Sequence, residues 1–302
     1  MSAGIDKEFI RDFYQRMTDK ELFQTLNGNL RGLTQEAREV ISEEVQRRKL
    51  DFDVSSIPAP QEEDDNYKAY DPNGCPVEEA ERIWIERSFL SLLTLFGEEN
   101  TLTRQVLLPV TKDFPIKYDG SERAASETLR VVARQMEVPM DQIKLDFFDE
   151  KLQHITDGSP GGFYYGKGEN DKFEISMVRT LLDEPEDMVA VLAHETAHIK
   201  LLGEDRIAEN NEPLTDLTTI FFGLGVFNAN AAFKTFADNK YWGWSQSGYL
   251  SQMAWGYALA LFAYVRQEEE PAWASHLCKN VKGDFIQGQN FIANNEELIF
   301  QQ

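Results

Sequence analysis

The stretch AVLAHETAHIKLLG, residues 190–203, decides how this chain is interpreted. Its centre, residues 194–198, reads HETAH and matches the pattern HExxH. On a helix, residues four apart project from the same face and lie about 6 Å apart along the axis. The imidazoles of His194 and His198 can therefore bind one zinc ion, and the intervening Glu195 can reach a water on that ion. The pattern predicts a metal site carried by a helix.

The surrounding sequence predicts a buried helix from about Pro185 to Leu202, closed by Gly203. Pro185 suits the first turn, where neighbouring acidic residues interact favourably with the helix dipole. Apolar residues cover almost every side of this segment, which is typical of a buried helix. Buried imidazoles and a buried carboxylate need partners, which a metal ion supplies. The alternative is a pair of ordinary core histidines beside an ion-paired glutamate.

A zinc site on this helix requires a third protein ligand. The metzincin continuation places glycine three residues after the second histidine and another histidine three residues later, but this chain has Leu201 and Glu204 there. The segment ENNEPLTDL, residues 209–217, instead places Glu212 14 residues after the second histidine and Asp216 one helical turn further on. The acids that could supply the third ligand are Glu204, Asp205, Glu209, Glu212 and Asp216.

The HExxH pattern followed by this Glu/Asp pair resembles the gluzincins, the thermolysin-like zinc peptidases and their relatives, over residues 172–227. The resemblance implies that His194, His198 and Glu212 bind Zn²⁺. It also implies that Glu195 is the general base for peptide hydrolysis through a zinc-bound water, and that Asp216 accepts a hydrogen bond from a ligating histidine.

The interval between the two motifs is shorter than in thermolysin, which favours a compact relative. The resemblance is to a bacterial-type member of the group. Pro213 departs from the usual pattern and places Glu212 at or just before the start of its helix, not within it.

Two further site elements are predicted less directly. Zincins that resemble this chain bind an extended peptide along a sheet edge, so the strand at residues 173–177 is a candidate edge for the substrate, or else an ordinary sheet strand. The candidate donor to the developing oxyanion is Tyr249, which opens a predicted helix. The alternatives for that donor are Tyr257, His154 and His276.

The predicted architecture is an α+β, zincin-like domain at residues 77–302. It has a small mixed sheet, the HExxH helix and a mostly helical C-terminal half. An N-terminal helical segment at residues 1–50 and an acidic, proline-containing linker at 51–76 precede it. The strand candidates are 106–110, 143–148, 163–165 and 172–178; the other helix candidates in the domain are 76–96, 121–137, 213–227, 249–266 and 272–280.

The chain of 302 residues has 52 acidic and 30 basic side chains, a net charge of −22. Such a charge repels phosphate backbones and anionic membrane surfaces, so neither nucleic acid nor membrane is an expected partner. It attracts basic segments, which favours a basic peptide or protein substrate. The N-terminus lacks the apolar core of a signal peptide, and Cys75 and Cys278 form no metal-type pair. These features predict a cytoplasmic protein.

Three functions are compatible with the pattern. The first is a zinc metallopeptidase. The second is a catalytically silent, zinc-stabilised regulatory or protein-binding module, which a fourth protein ligand would favour because structural zinc sites are closed. The third is a zinc hydrolase that acts on a non-peptide amide.

Overall fold

The computed structural model describes residues 11, 14–15, 17, 19, 22, 35–50, 52, 71–149, 161–168, 170–237, 242–246 and 249–301. Contacts divide the chain into two units, Met1–Asp71 and Pro72–Gln302. Most of the predicted linker lies outside the described residues, as does His154. The domain boundaries predicted at residues 50 and 76 are therefore not tested by the structure.

In the first unit, helix α1 spans Gln35–Arg48. Its apolar residues Val40, Ile41 and Val45 are buried in a small core that also contains Tyr14 and Leu22. Arg48 ties this helix to the preceding segment, because its guanidinium donates to the Tyr14 carbonyl oxygen at 2.9 Å and pairs with the buried Glu44.

The second unit has its own, larger core. Its α-helices are α2 Glu79–Phe96, α3 Glu98–Thr103, α4 Glu122–Gln135, α5 Pro185–His198, α6 Glu212–Phe221, α7 Gly225–Ala232, α8 Gln252–Val265 and α9 Lys279–Asn294. Its strands are β1 Ile143–Phe148, β2 Gly162–Lys167, β3 Phe173–Val178, β4 Phe233–Ala237 and β5 Trp242–Gln246. Short 3-10 helices lie at Met140–Gln142, Arg179–Asp183, Ala272–His276 and Glu296–Leu298. This is the mixed α+β architecture that the sequence predicts.

Strands β1, β2 and β3 form a mixed sheet in the order β1-β3-β2. β3 pairs in parallel with β1, from Ile143 opposite Phe173, and antiparallel with β2, from Gly162 opposite Met177. The expectation that residues 173–177 form a substrate-binding edge is therefore wrong, because both sides of β3 are already paired. Five of the six β3 side chains are buried, as expected for a strand covered on both faces.

Three other predicted elements differ from the structure. Residues 106–110 form no strand, and Leu107 makes a single backbone hydrogen bond to the Gly223 carbonyl at 2.9 Å. The helix predicted at 213–227 is broken where Gly223 adopts φ +75°, a conformation that favours glycine, so α6 and α7 are separate helices. The stretch predicted as helix at 272–280 is a 3-10 turn followed by α9, which begins at Lys279.

The antiparallel hairpin β4–β5 was not predicted. Aromatic residues are frequent in this part of the sequence and favour strands. The prediction of a mostly helical C-terminal half did not take this preference into account.

The HExxH helix α5 begins at Pro185 and packs against α4, α6, α7 and β2. Nine of its residues are buried, as its all-round apolar character predicts. The regular helix ends at His198, earlier than predicted, and continues as a π-helical turn over Ile199–Gly203. Within the described part of the chain, no helix has the length and apolar character needed to cross a bilayer.

Candidate metal centre

Helix α5 brings two imidazoles to one face. The rings of His194 and His198 lie with their centroids 4.9 Å apart, nearly perpendicular to each other. Both side chains are largely buried, His198 more so at 8% exposure. The four-residue spacing therefore produces the arrangement that it predicts on a helix.

A carboxylate from the next helix completes the cluster. Glu212 is the first residue of α6, and its Oε2 lies 3.1 Å from Nε2 of His194 and 3.3 Å from Nε2 of His198. The Asn211 side chain caps α6 by accepting a hydrogen bond from the Leu214 N–H at 3.1 Å. The other carboxylate oxygen of Glu212 accepts from the Asn210 amide at 2.7 Å. Glu212 therefore opens its helix, as Pro213 in the sequence indicates.

The spacing and chemistry of these three atoms fit a divalent metal. Ligands about 2.0–2.2 Å from a tetrahedral zinc lie roughly 3.3–3.6 Å from one another. The distances of 3.1 and 3.3 Å from Glu212 Oε2 to the two Nε2 atoms are close to this range, and all three ligand atoms lie within 4.8 Å of one another. Nδ1 of His194 lies 2.9 Å from the Asp216 carboxylate, which can only accept, so the ring proton is on Nδ1. The lone pair on Nε2 of His194 then points at a lone pair of the Glu212 carboxylate. This contact is repulsive unless a proton or a cation lies between the two atoms.

Asp216 joins three parts of the centre. It is 2% exposed and lies one turn into α6. While Oδ1 contacts His194, its Oδ2 accepts hydrogen bonds from the backbone N–H groups of Tyr249 and Leu250, at 2.9 and 3.2 Å. One buried carboxylate thus fixes both an imidazole and the segment that enters α8.

Without a metal, the cluster retains a proton on His194. Burial lowers the pKa of His194, but hydrogen bonds to Asp216 and Glu212 outweigh this effect and raise the pKa to about 10. Burial and the charge of His194 lower the pKa of His198 to about 4. Burial also disfavours the Glu212 carboxylate, yet its hydrogen bonds to His194 and Asn210 lower its pKa to about 2. The negative surroundings therefore stabilise one positive charge at the position where a cation would bind.

Zinc binding is expected to release at least one proton per protein at pH 8, the proton of His194. His194 is protonated at this pH in the metal-free protein, with a pKa of about 10, and must lose a proton to coordinate through Nε2. Calorimetric titrations of the metal-free protein in buffers with different ionisation enthalpies measure this number. A binding enthalpy that does not change with the buffer would contradict it.

Glu195 lies buried between α5 and β2. It is 4% exposed, and a Cβ atom on Gly162 would lie 3.0 Å from its Oε1. Burial raises the pKa of Glu195, the charge of His194 opposes this shift and the charge of Glu212 adds to it, and the resulting pKa is about 7. The carboxyl therefore changes protonation state near neutral pH, as a general base requires.

In the metal-free protein, we expect Glu195→Gln to raise the melting temperature at pH 8 but not at pH 4. A group whose pKa is higher in the folded than in the unfolded protein stabilises the fold at pH values below the unfolded pKa. This contribution to the free energy of unfolding is lost as the pH rises through the folded pKa. Between about 4.5 unfolded and 7 folded, charging Glu195 costs about 3 kcal/mol, which the neutral glutamine avoids.

Tryptophan fluorescence is a suitable readout, since all five tryptophans lie in the second unit. A gain for Glu195→Gln that is equally large at pH 4 and pH 8 would contradict this prediction.

Each imidazole also faces a tyrosine ring. Tyr249 lies over His194, with the centroids 5.9 Å apart and the planes 20° apart, and is 51% exposed. Tyr164 lies over His198 at 5.8 Å and 6°. The structure thus brings the predicted residue Tyr249 to the rim of the cluster.

The other candidates from the sequence lie elsewhere. Glu204 is paired with Lys200 and Arg206. Asp205 and Glu209 are exposed and outside the His–His–Glu cluster. The buried hydroxyl of Tyr257 donates to Glu86 at 2.6 Å, and the His276 carbonyl accepts from Asn230 in a 3-10 turn.

Sequence reasoning missed three contributors to this centre, namely Asn210, Gly162 and Tyr164. Asn210 and Asn211 directly precede Glu212-Pro213, and asparagine at the N-cap with proline in the first turn is a recognisable helix-start signal. No comparable signal marks the two residues of β2, because their contacts with α5 are set by the fold.

Comparison with known proteins gives one family. Residues 122–290, more than half of the chain, match the model of Peptidase family M48. The matched range begins at the first residue of α4, includes the sheet and all members of the His–His–Glu cluster, and ends within α9. None of the curated proteins and none of the solved structures compared with the chain matches it.

Proposed function

The chain belongs to peptidase family M48, and we propose that it is a zinc-dependent metallopeptidase of gluzincin type. Peptidases of this family are generally zinc-dependent. The observation that carries the proposal is the convergence of two imidazole nitrogens and the Glu212 carboxylate within 4.8 Å of one another.

In this proposal, His194, His198 and Glu212 hold the ion. Bound zinc would polarise the scissile carbonyl and acidify a water. Among the described residues, the cluster contains three ligand side chains and no fourth. An open fourth position is the property of catalytic zinc sites and favours a hydrolase over a silent, zinc-stabilised module.

Glu195 is the proposed general base. Its carboxylate takes the proton of the attacking water and passes it to the leaving nitrogen. Burial supports this role because it keeps the pKa near neutral, so that the group can both accept and release a proton. Gly162 leaves the space in which this carboxylate lies.

Tyr249 is the proposed donor to the oxyanion. Its backbone N–H is held by Asp216, and its ring lies over His194, so its position is coupled to that of the ligand. Tyr249 is 51% exposed, and a residue that meets substrate must be reached from solvent. A neutral phenol can donate one hydrogen bond to the developing charge.

Asp216→Asn is expected to weaken zinc binding about 10- to 100-fold, because the carboxylate that fixes the His194 tautomer is lost. Competition with a chromophoric chelator measures the affinity. Asp284→Asn, which changes an aspartate on α9 that accepts a hydrogen bond from Gln252, is the matched control. Equal zinc affinities for the two variants would contradict the role of Asp216.

The peptidase activity itself is tested with the zinc-loaded protein and a mixture of peptides, including basic ones, analysed by mass spectrometry. Zinc-dependent cleavage that a chelator stops and zinc restores supports the proposal. A protein that binds one zinc and cuts no peptide, but hydrolyses small amides, would instead support the alternative of a non-peptide amidase.

A further inference from the structure

The two imidazoles of the cluster are held by different means. Nδ1 of His194 is bound to Asp216 at 2.9 Å. Nδ1 of His198 is buried and has no hydrogen-bond partner among the described residues. Metal-binding histidines usually donate this N–H to a carboxylate or carbonyl, which fixes the direction of the coordinating nitrogen. The orientation of the His198 ring must therefore be fixed by another contact.

A tyrosine ring stacks on the His198 imidazole and can provide this contact. Tyr164 on β2 is parallel to the His198 imidazole within 6°, at a centroid distance of 5.8 Å. Offset parallel rings at this separation are in the attractive range. Since the His198 side chain is only 8% exposed, the ring of Tyr164 forms part of the wall that encloses it.

The position of Tyr164 is itself restricted. A Cβ atom on Gly203 would lie 2.8 Å from the Tyr164 hydroxyl oxygen and 2.6 Å from the Phe173 ring. Gly203 ends the π-helical turn that follows His198. The absence of a side chain there leaves room for the tyrosine, so the turn after the HExxH motif accommodates the residue that covers its second histidine.

We propose that Tyr164 is the positioning residue of His198, holding the plane of the imidazole by ring stacking so that Nε2 points at the metal. The inference rests on the proposed zinc site and concerns how that site is organised before the ion binds. It assigns the ring, rather than the hydroxyl, as the part of Tyr164 that matters.

The test compares Tyr164→Phe, which keeps the ring, with Tyr164→Leu, which removes it. Zinc affinity by chelator competition and the visible spectrum of the cobalt-substituted protein are the readouts. Tyr164→Leu should weaken zinc binding about two- to tenfold, as expected for one aromatic pair, and change the cobalt spectrum. Tyr164→Phe should match the wild type in both.

Phe163→Leu is the matched control, because it removes an aromatic ring from the adjacent position of β2, where the side chain faces Phe148 and Tyr165 instead. If Tyr164→Leu fails to fold, Tyr164→Met fills the space without a ring and takes its place. The proposal is overturned if the ringless variant behaves like Phe163→Leu, or if Tyr164→Phe loses as much affinity as Tyr164→Leu. A wild type that binds no zinc would instead overturn the proposed function.

Discussion

Replacing Glu195 with glutamine should lower kcat for peptide hydrolysis about 10²- to 10⁴-fold, the usual contribution of a general base, while one zinc per protein remains bound. Glutamine has nearly the same shape as glutamate but cannot accept the proton of the attacking water. Glu195 lies outside the cluster of candidate ligands, so its removal leaves the metal-binding atoms in place. Steady-state kinetics and elemental analysis on the same preparation measure the two effects.

Glu186→Gln is the control for this experiment, since it makes the same change at an exposed position in the first turn of the same helix. It should retain the activity of the wild type. Loss of zinc from the Glu195 variant would show that this carboxylate is a ligand, and wild-type turnover would show that the base lies elsewhere.

The second large effect is expected for Tyr249→Phe, which should lower kcat about 10²- to 10³-fold, as does the loss of a single oxyanion donor. The ring that lies over His194 is kept, so zinc affinity and KM should change little. Tyr264→Phe, a partly exposed tyrosine near the end of α8, is the matched control. If Tyr249→Phe lost zinc affinity and kcat to the same extent, the hydroxyl would be shown to stabilise the metal site and not the oxyanion.

The elements that the sequence predicted well are those with strong local signals. The HExxH helix, the helix predicted at 121–137 and the strands predicted at 143–148 and 172–178 depend on periodicity, apolar runs and helix-end signals within a few residues. His194 and His198 share a face for the same reason, because helix geometry alone places them there.

The remaining features depend on contacts between distant parts of the chain. Whether β3 is an edge or a central strand is decided by its partners β1 and β2, not by its own composition. Tyr164 reaches His198 only because β2 packs on α5. Glu212 and Asp216 were identified from a resemblance to a family, and their approach to His194 follows from how α6 packs against α5.

The most direct test of the account is a crystal structure of the zinc-loaded protein, with the ion located by its anomalous scattering. We expect one zinc bound by Nε2 of His194, Nε2 of His198 and the carboxylate of Glu212, at about 2.0–2.2 Å, with solvent in the remaining position. An ion held by other residues, or one enclosed by four protein ligands, would contradict the assignment of a hydrolytic zinc centre.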